Sequence, residues 1–209
     1  ITTGDPAASQ PGNLWKIGVA SSSDNGVSFV HQGVAFTFTQ SSTDPFPLVL
    51  ANGTVRLLVS QGANVVSVTA TDNTGLHFAT TQDAGTRVSN GGVPGALLVG
   101  TKYYLYGCGA GILWSQSTDG LAFTSGGTAI TQGSGTVCDP SPIDNGGGNY
   151  LMAFKRRPSG VTSPSGDSTY MASSSDGQTW TQIGTVGVGS VPGLVKDKNG
   201  TYRIYVVGF

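Results

Sequence analysis

The chain reads as short apolar runs broken by glycine-rich turns, and two patterns alternate along it. The first is a pair of apolar runs around a glycine turn. It occurs as "DPFPLVLANGTVRLLVS" (44–60), "VPGALLVGTKYYLYG" (93–107), "DPSPIDNGGGNYLMAF" (139–154) and "VPGLVKDKNGTYRIYVV" (191–207). Apolar runs flanking Asn-Gly or a similar turn are the strongest short-range hairpin signal. The second pattern is a polar run, an aspartate, a nearby glycine and an aromatic. It occurs as "ASSSDNGVSF" (20–29), "ATDNTGLHF" (70–78), "QSTDGLAF" (116–123) and "ASSSDGQTW" (172–180). Its aspartates, Asp24, Asp72, Asp119 and Asp176, recur roughly every 50 residues, a period that marks repeat architectures such as propeller blades.

Each repeat thus supplies an inner hairpin, a third strand, an aspartate-bearing turn and a fourth strand, which is one blade. The reading is an all-β, four-bladed β-propeller with four antiparallel strands per blade. It is a single domain over 1–209, with blades near 44–90, 92–136 and 137–188 and a last blade combining 190–209 with 14–40. The chain opens on a third strand (Leu14 to Ser21) and closes on a second (Tyr202 to Val207), so strands from both termini close the ring and remove two free sheet edges.

Composition agrees with this picture and removes some function classes. Thirty-three glycines among 209 residues point to turns and strands rather than helices. Charged residues make up only 10% of the chain, all eleven acids are aspartates, and the net charge is −1. A nucleic-acid partner is excluded on that balance, because phosphate neutralisation needs clustered Lys and Arg. No apolar run approaches the roughly 18 residues of a membrane span. The sequence starts at Ile1 without a leader-like segment, which reads as a processed form or an excised domain. Low charge with a cysteine pair points to a secreted or cell-surface protein, either monomeric or part of a larger surface protein.

The aspartate turns resemble the Asp-box of sialidase-type propellers, Ser-x-Asp-x-Gly-x-Thr-Trp. "SSSDGQTW" is similar nearly throughout, and the other three are degenerate. A strand-opening "DP", a second strand of the form G-x-Y-x-L/M and the "A-S-S-x-D-G-x-x-W" turn also resemble the furanosidase and arabinanase propellers, which usually have five blades. That resemblance implies a structural role for Asp24, Asp72, Asp119 and Asp176, and a catalytic base at the "DP" position, here Asp44 or Asp139. It also implies a glutamate acid two residues before a later proline, where this chain has Gly92 and Ser190; the chain holds no glutamate at all. The arginine triad, tyrosine and glutamate set of sialidases is likewise incomplete.

Asp44 and Asp139 open alternate repeats, and Val-Pro-Gly stands at the other two, so the two carboxylates are expected to face each other across the channel mouth. There they serve as an acid and base, share a proton, or hold a cation; the competing reading is that each caps its own turn. No other cofactor and no metal cluster is expected, since His31 and His77 lack Cys or His neighbours. If the protein is a hydrolase, an aspartate must act as the acid, and Asp167 is the leading extra candidate. The long loop after "NYLMAF" begins with Lys155, Arg156 and Arg157 beside Asp139, as an anion-binding group or as solvated charge. Tyr104, Tyr106 and Arg56 complete the candidate ligand contacts, whereas Trp15, Trp114 and Tyr170 read as core. Cys108 and Cys138 end and begin strands on the same face of neighbouring blades, as a disulfide or as two buried thiols. "NGT" at Asn52 and Asn199 reads equally as a glycosylation sequon and as a hairpin turn.

Three functions remain open from the sequence: a carbohydrate-recognising propeller binding a glycan at its mouth, a small glycoside hydrolase using an aspartate pair, and a structural or adhesive surface unit.

Overall fold

The computed structural model describes residues 2–3 and 15–208. Leu14 and Phe209, outer bounds of the blade expected from both termini, lie outside that set, as does Ile1. The regular structure of the described residues is antiparallel sheet, with one short 3-10 turn, Pro164–Gly166. The chain divides into two compact units, residues 1–93 and 94–209.

In the first unit, β1 (Thr2–Thr3), β2 (Lys16–Ser21) and β3 (Val30–Phe36) form one sheet in that order. β4 (Thr43–Val49), β5 (Val55–Gln61) and β6 (Asn64–Thr69) form the next. Ile17 and Phe38 pack with Leu57, Val59, Val66 and Val68 to make the core. The fourth strand expected for 44–90 is reduced to isolated bridges, Val65↔Val88 and Ala70↔Phe78. The segment after β6 is rich in Asp, Thr, Asn and Gly and lacks the apolar alternation that buries a strand face. It is held instead by polar contacts. Asp83 accepts from Ser67 Oγ at 2.6 Å and lies 3.4 Å from Nε of the buried Arg56.

The second unit holds two four-stranded antiparallel sheets. One comprises β7 (Gly95–Val99), β8 (Lys102–Gly109), β9 (Gly111–Ser117) and β10 (Thr124–Thr131). The other comprises β11 (Thr136–Gly146), β12 (Asn149–Arg157), β13 (Ser168–Ser174) and β14 (Thr181–Val188). β15 (Ser190–Lys196) and β16 (Tyr202–Val207) make a hairpin. β11 packs against both β7 and β15, so the first strands of three successive sheets lie side by side. Between the two four-stranded sheets lies the larger core, with Tyr106, Ile112, Met152, Phe154, Ala172 and Trp180 all buried. Trp114 and Tyr170 pack against it, as their sequence positions suggest.

Three of the four aspartate turns, those of Asp24, Asp119 and Asp176, share one construction. Asp119 Oδ1 accepts the backbone N–H groups of Leu121 and Ala122 at 2.8 and 3.0 Å, and Ser117 Oγ at 2.8 Å. Asp176 repeats it with Gln178, Thr179 and Ser174. Asp24 takes the N–H groups of Val27 and Ser28. Asp72 has no serine two residues earlier, and its carboxylate takes Thr74 and His77 Nδ1 instead. The Asp176 turn is also tied to the core. Gly177 sits at φ +71°, and its carbonyl accepts Tyr106 OH at 2.6 Å and Trp180 Nε1 at 3.2 Å.

These bonds favour the ionised carboxylate. The N–H groups of Ala122 and Leu121, followed by Ser117, pull the Asp119 carboxyl down to about 2. A folded-state value below the unfolded one stabilises the fold above the unfolded value, and that stabilisation is lost as pH falls through the folded value. The melting temperature is therefore expected to drop between about pH 4 and about pH 2. Asp119→Asn, which keeps the acceptor but removes the titration, should drop less over that window in thermal melts. An equal drop in both proteins would remove Asp119 from the account.

Candidate functional site

The four strand starts that align in sequence also align in backbone. Asp44, Val93, Asp139 and Val191 each precede a proline, and each has a positive φ, at +52°, +58°, +58° and +50°. Positive φ is unfavourable for a non-glycine residue and most unfavourable for a β-branched valine. Each such residue costs on the order of 1–3 kcal/mol and persists where its surroundings over-determine it. For three of the four, the surroundings include a bond to the residue's own N–H, that of Asp139 being to Cys108 Sγ. Val93 N–H donates to Ser60 Oγ at 2.6 Å, and Val191 N–H donates to Asp139 Oδ2 at 3.2 Å.

Asp139 is bonded to residues of three other strands or their starts. It is buried, and Oδ2 lies 2.9 Å from Lys155 Nζ, so one oxygen serves both a cation and the Val191 amide. Its N–H donates to Cys108 Sγ at 3.3 Å. Cys108 and Cys138 form the disulfide, with Cα atoms 5.0 Å apart, joining the end of β8 to the start of β11. The open choice between a bridge and two thiols closes in favour of the bridge. The sulfurs beside Asp139 accordingly offer no thiolate to a metal.

Asp167 is fully buried, and Arg157 grips it with both arms, Nε to Oδ1 at 2.5 Å and an Nη2 contact to Oδ2 at 2.9 Å. This bidentate bond pushes the guanidinium further up its already high range. The Asp167 carbonyl receives Gly189 N–H at 3.1 Å, and Thr169 Oγ1 donates to the Gly189 carbonyl at 3.0 Å. Strand alternation sends Arg156 the other way. Its guanidinium lies 6.0 and 5.8 Å from the Phe154 and Tyr170 ring centres and donates to the Gln132 carbonyl at 3.2 Å. The three consecutive cations thus have three different environments, and two of them face a carboxylate.

Other expected contacts occupy different places. Tyr104 and Tyr106 are core residues rather than mouth residues. Both are buried, Tyr104 OH accepts from Gln178 Nε2 at 3.0 Å, and burial drives the Tyr106 phenol far above its usual range. Arg56 is buried in the first unit beside Asp83, its Nε donating to Thr69 Oγ1 at 3.1 Å. Asp44, half-buried, accepts from its neighbour Thr43 Oγ1 at 2.7 Å. Of the two positions aligned with a general acid, Ser190 is buried at the start of β15. Gly92 has no room for a side chain, since a Cβ there would lie 2.8 Å from the Gly62 carbonyl oxygen. His77 pairs with Asp72 in its turn.

The sequence puts Lys155, Arg156 and Arg157 together beside Asp139, as an anion-binding group or as solvated charge, whereas in the structure Lys155 and Arg157 are paired with carboxylates and Arg156 lies on two rings. Sequence reasoning missed the Val191 amide. The alignment of "VP" with "DP" was the available signal, because equal positions in a repeat adopt equal backbone.

No protein-family model matches the sequence, and no curated protein is recognisably similar to it. The fold is shared with solved glycoside hydrolases. An endo-1,4-β-xylanase from Bacteroides thetaiotaomicron is similar over 97% of this chain and 77% of that one, with a TM-score of 0.71 and 15% identity. An α-L-arabinofuranosidase from Clostridium thermocellum is similar over 93% and 73% respectively, with a TM-score of 0.72 and 15% identity. A thermostable family-43 glycoside hydrolase is similar over 78% and 62%, with a TM-score of 0.61 and 12% identity. These neighbours are β-propeller glycoside hydrolases, and at such identities the likeness speaks to the fold alone.

The Arg157–Asp167 pair generates a direct test. Asp167→Asn leaves the Arg157 guanidinium facing a neutral amide at a buried position. Thermal melts should show a loss of several degrees, with Asp167→Asn/Arg157→Met recovering part of it. An Asp167→Asn protein as stable as the parent would mean that the pair contributes nothing.

Proposed function

We propose that the protein binds carbohydrate on a glycoside-hydrolase propeller fold whose carboxylates are held in ion pairs rather than poised for proton transfer. The observation that carries this reading is the pairing of Asp139 with Lys155 and of Asp167 with Arg157. Glycoside hydrolysis needs two carboxyl groups in different states, one holding a proton for the leaving oxygen and one ionised. Asp139 Oδ2 is engaged by Lys155 and the Val191 amide, and both Asp167 oxygens by Arg157, so these oxygens are not free to approach a glycosidic oxygen. No glutamate is available to take that role, and Gly92 leaves no space for one. Binding asks less of the site, namely fixed polar groups beside an apolar surface. Around Asp139 these are Lys155 and the exposed Val191.

The same reading takes the sheets as blades of a four-bladed ring closed by both termini, with Asp44 and Asp139 at one end of the channel. The Cys108–Cys138 bridge supports an oxidising, extracellular setting. No helix among the described residues is long and apolar enough to cross a membrane.

A second reading, hydrolysis by an Asp44–Asp139 pair, draws support from two observations. The neighbours named above are hydrolases, and both aspartates sit in the strained left-handed conformation that clusters at active sites. A glycan array, followed by a reducing-sugar assay on whatever binds together with xylan and arabinan, separates the readings. The expected result is retention of one glycan class with no release of reducing ends. Sugar release abolished by Asp44→Asn would favour the hydrolase, and an array with no retained glycan would overturn both.

A further inference from the structure

A covalent and polar path runs through the centre of the second unit. Cys138 immediately precedes Asp139, the bridge ties it to Cys108 on β8, and the Asp139 N–H rests on the Cys108 sulfur. Asp139 then turns left-handed, and its carboxylate lands on Lys155 of β12 and the Val191 amide that opens β15. Three successive sheets are thereby joined through one residue. Pro140 restricts the backbone of Asp139 and disfavours the helical alternatives, so the left-handed state needs an external hold. The disulfide is the covalent hold nearest to it. Cys108 is half-buried rather than sealed in the core, so its end of the bridge is the one a small thiol would approach.

We propose that the Cys108–Cys138 disulfide is a positioning element for the Asp139 carboxylate, and that its reduction releases that carboxylate from Lys155 and Val191. A dithiol reductant supplies the two electrons. Its thiolate attacks one sulfur, its second thiol closes a cyclic disulfide, and Cys108 and Cys138 leave as two protonated thiols. The Asp139 peptide then loses both its sulfur contact and its tether to β8. Lys155 is left without the partner that holds it in place. The inference concerns the state of the pair and does not depend on what the protein binds.

Competitive acylation of lysine amines by N-hydroxysuccinimide acetate, read by peptide mass spectrometry, tests this on the intact chain. Lys155 is expected to be protected in the oxidised protein. After dithiothreitol treatment it should label several-fold faster, while the other lysines and the far-ultraviolet dichroism stay unchanged. Alkylation by iodoacetamide establishes that both cysteines are reduced. Asp139→Asn with the bridge intact should already show the fast labelling and gain nothing further on reduction. That last outcome is specific to positioning, since a bridge that only stabilised the fold would act equally on the variant. Unchanged protection of Lys155 in fully reduced protein overturns the proposal. A uniform rise at all lysines also overturns it, by showing that the bridge holds the fold rather than the carboxylate. Because reduction can unfold a chain, the oxidised Asp139→Asn protein stands as a separate arm; slow labelling of Lys155 there refutes the pairing itself.

Discussion

One oxygen atom, Asp139 Oδ2, bonds both Lys155 Nζ and the N–H of Val191, and much of the second unit is arranged to make that contact. The carboxylate is buried, and burial of such a polar group is costly unless partners such as this cation and this donor are in contact with it. The left-handed turn at Asp139 points it correctly, and the disulfide and Pro140 confine that turn. Its reward is structural as well as electrostatic. By holding the Val191 amide it fixes the left-handed start of β15, and Ser141 Oγ accepts Leu194 N–H at 2.9 Å two residues on from Pro192. A sheet and its neighbouring hairpin are thus joined by polar bonds where their first strands meet.

The same arrangement limits the chemistry. The end of β12 carries three cations, and the expectation of a basic group facing an acidic mouth treated them as one cluster. In the structure they divide between carboxylates and an aromatic pair. Lys155 and Arg157 share a face by strand alternation and meet Asp139 and Asp167, while Arg156 points to Phe154 and Tyr170. Two of the three cations are paired with carboxylates and Arg156 lies on the rings, and such an arrangement suits recognition through fixed donors better than proton transfer.

Repetition made the second unit legible in the sequence. Four-stranded sheets over 95–131 and 136–188 follow the glycine hairpins and aspartate turns, and the disulfide follows from strand ends meeting on one face. The turns were legible because Asp119 and Asp176 need only local backbone partners. Side-chain partners were harder to read. Tyr104 and Tyr106 alternate poorly, in a run whose both faces are buried, so nothing local distinguishes a mouth residue from a core residue. Arg56 meets Asp83 across a loop that no periodicity describes. Ion pairing depends on which charges the fold brings together, and a repeat pattern carries no such information when the loops differ between repeats.

The central claim, that Asp139 is committed to an ion pair, is most directly measured by a double-mutant cycle on Asp139→Asn and Lys155→Met. Stability of the parent, the two single variants and the double variant, from denaturant titration, isolates their coupling. The account expects a favourable coupling of about 1 kcal/mol or more, with each single variant less stable than the parent. A coupling indistinguishable from zero, with Asp139→Asn as stable as the parent, would contradict it and return Asp139 to the role of a free carboxylate.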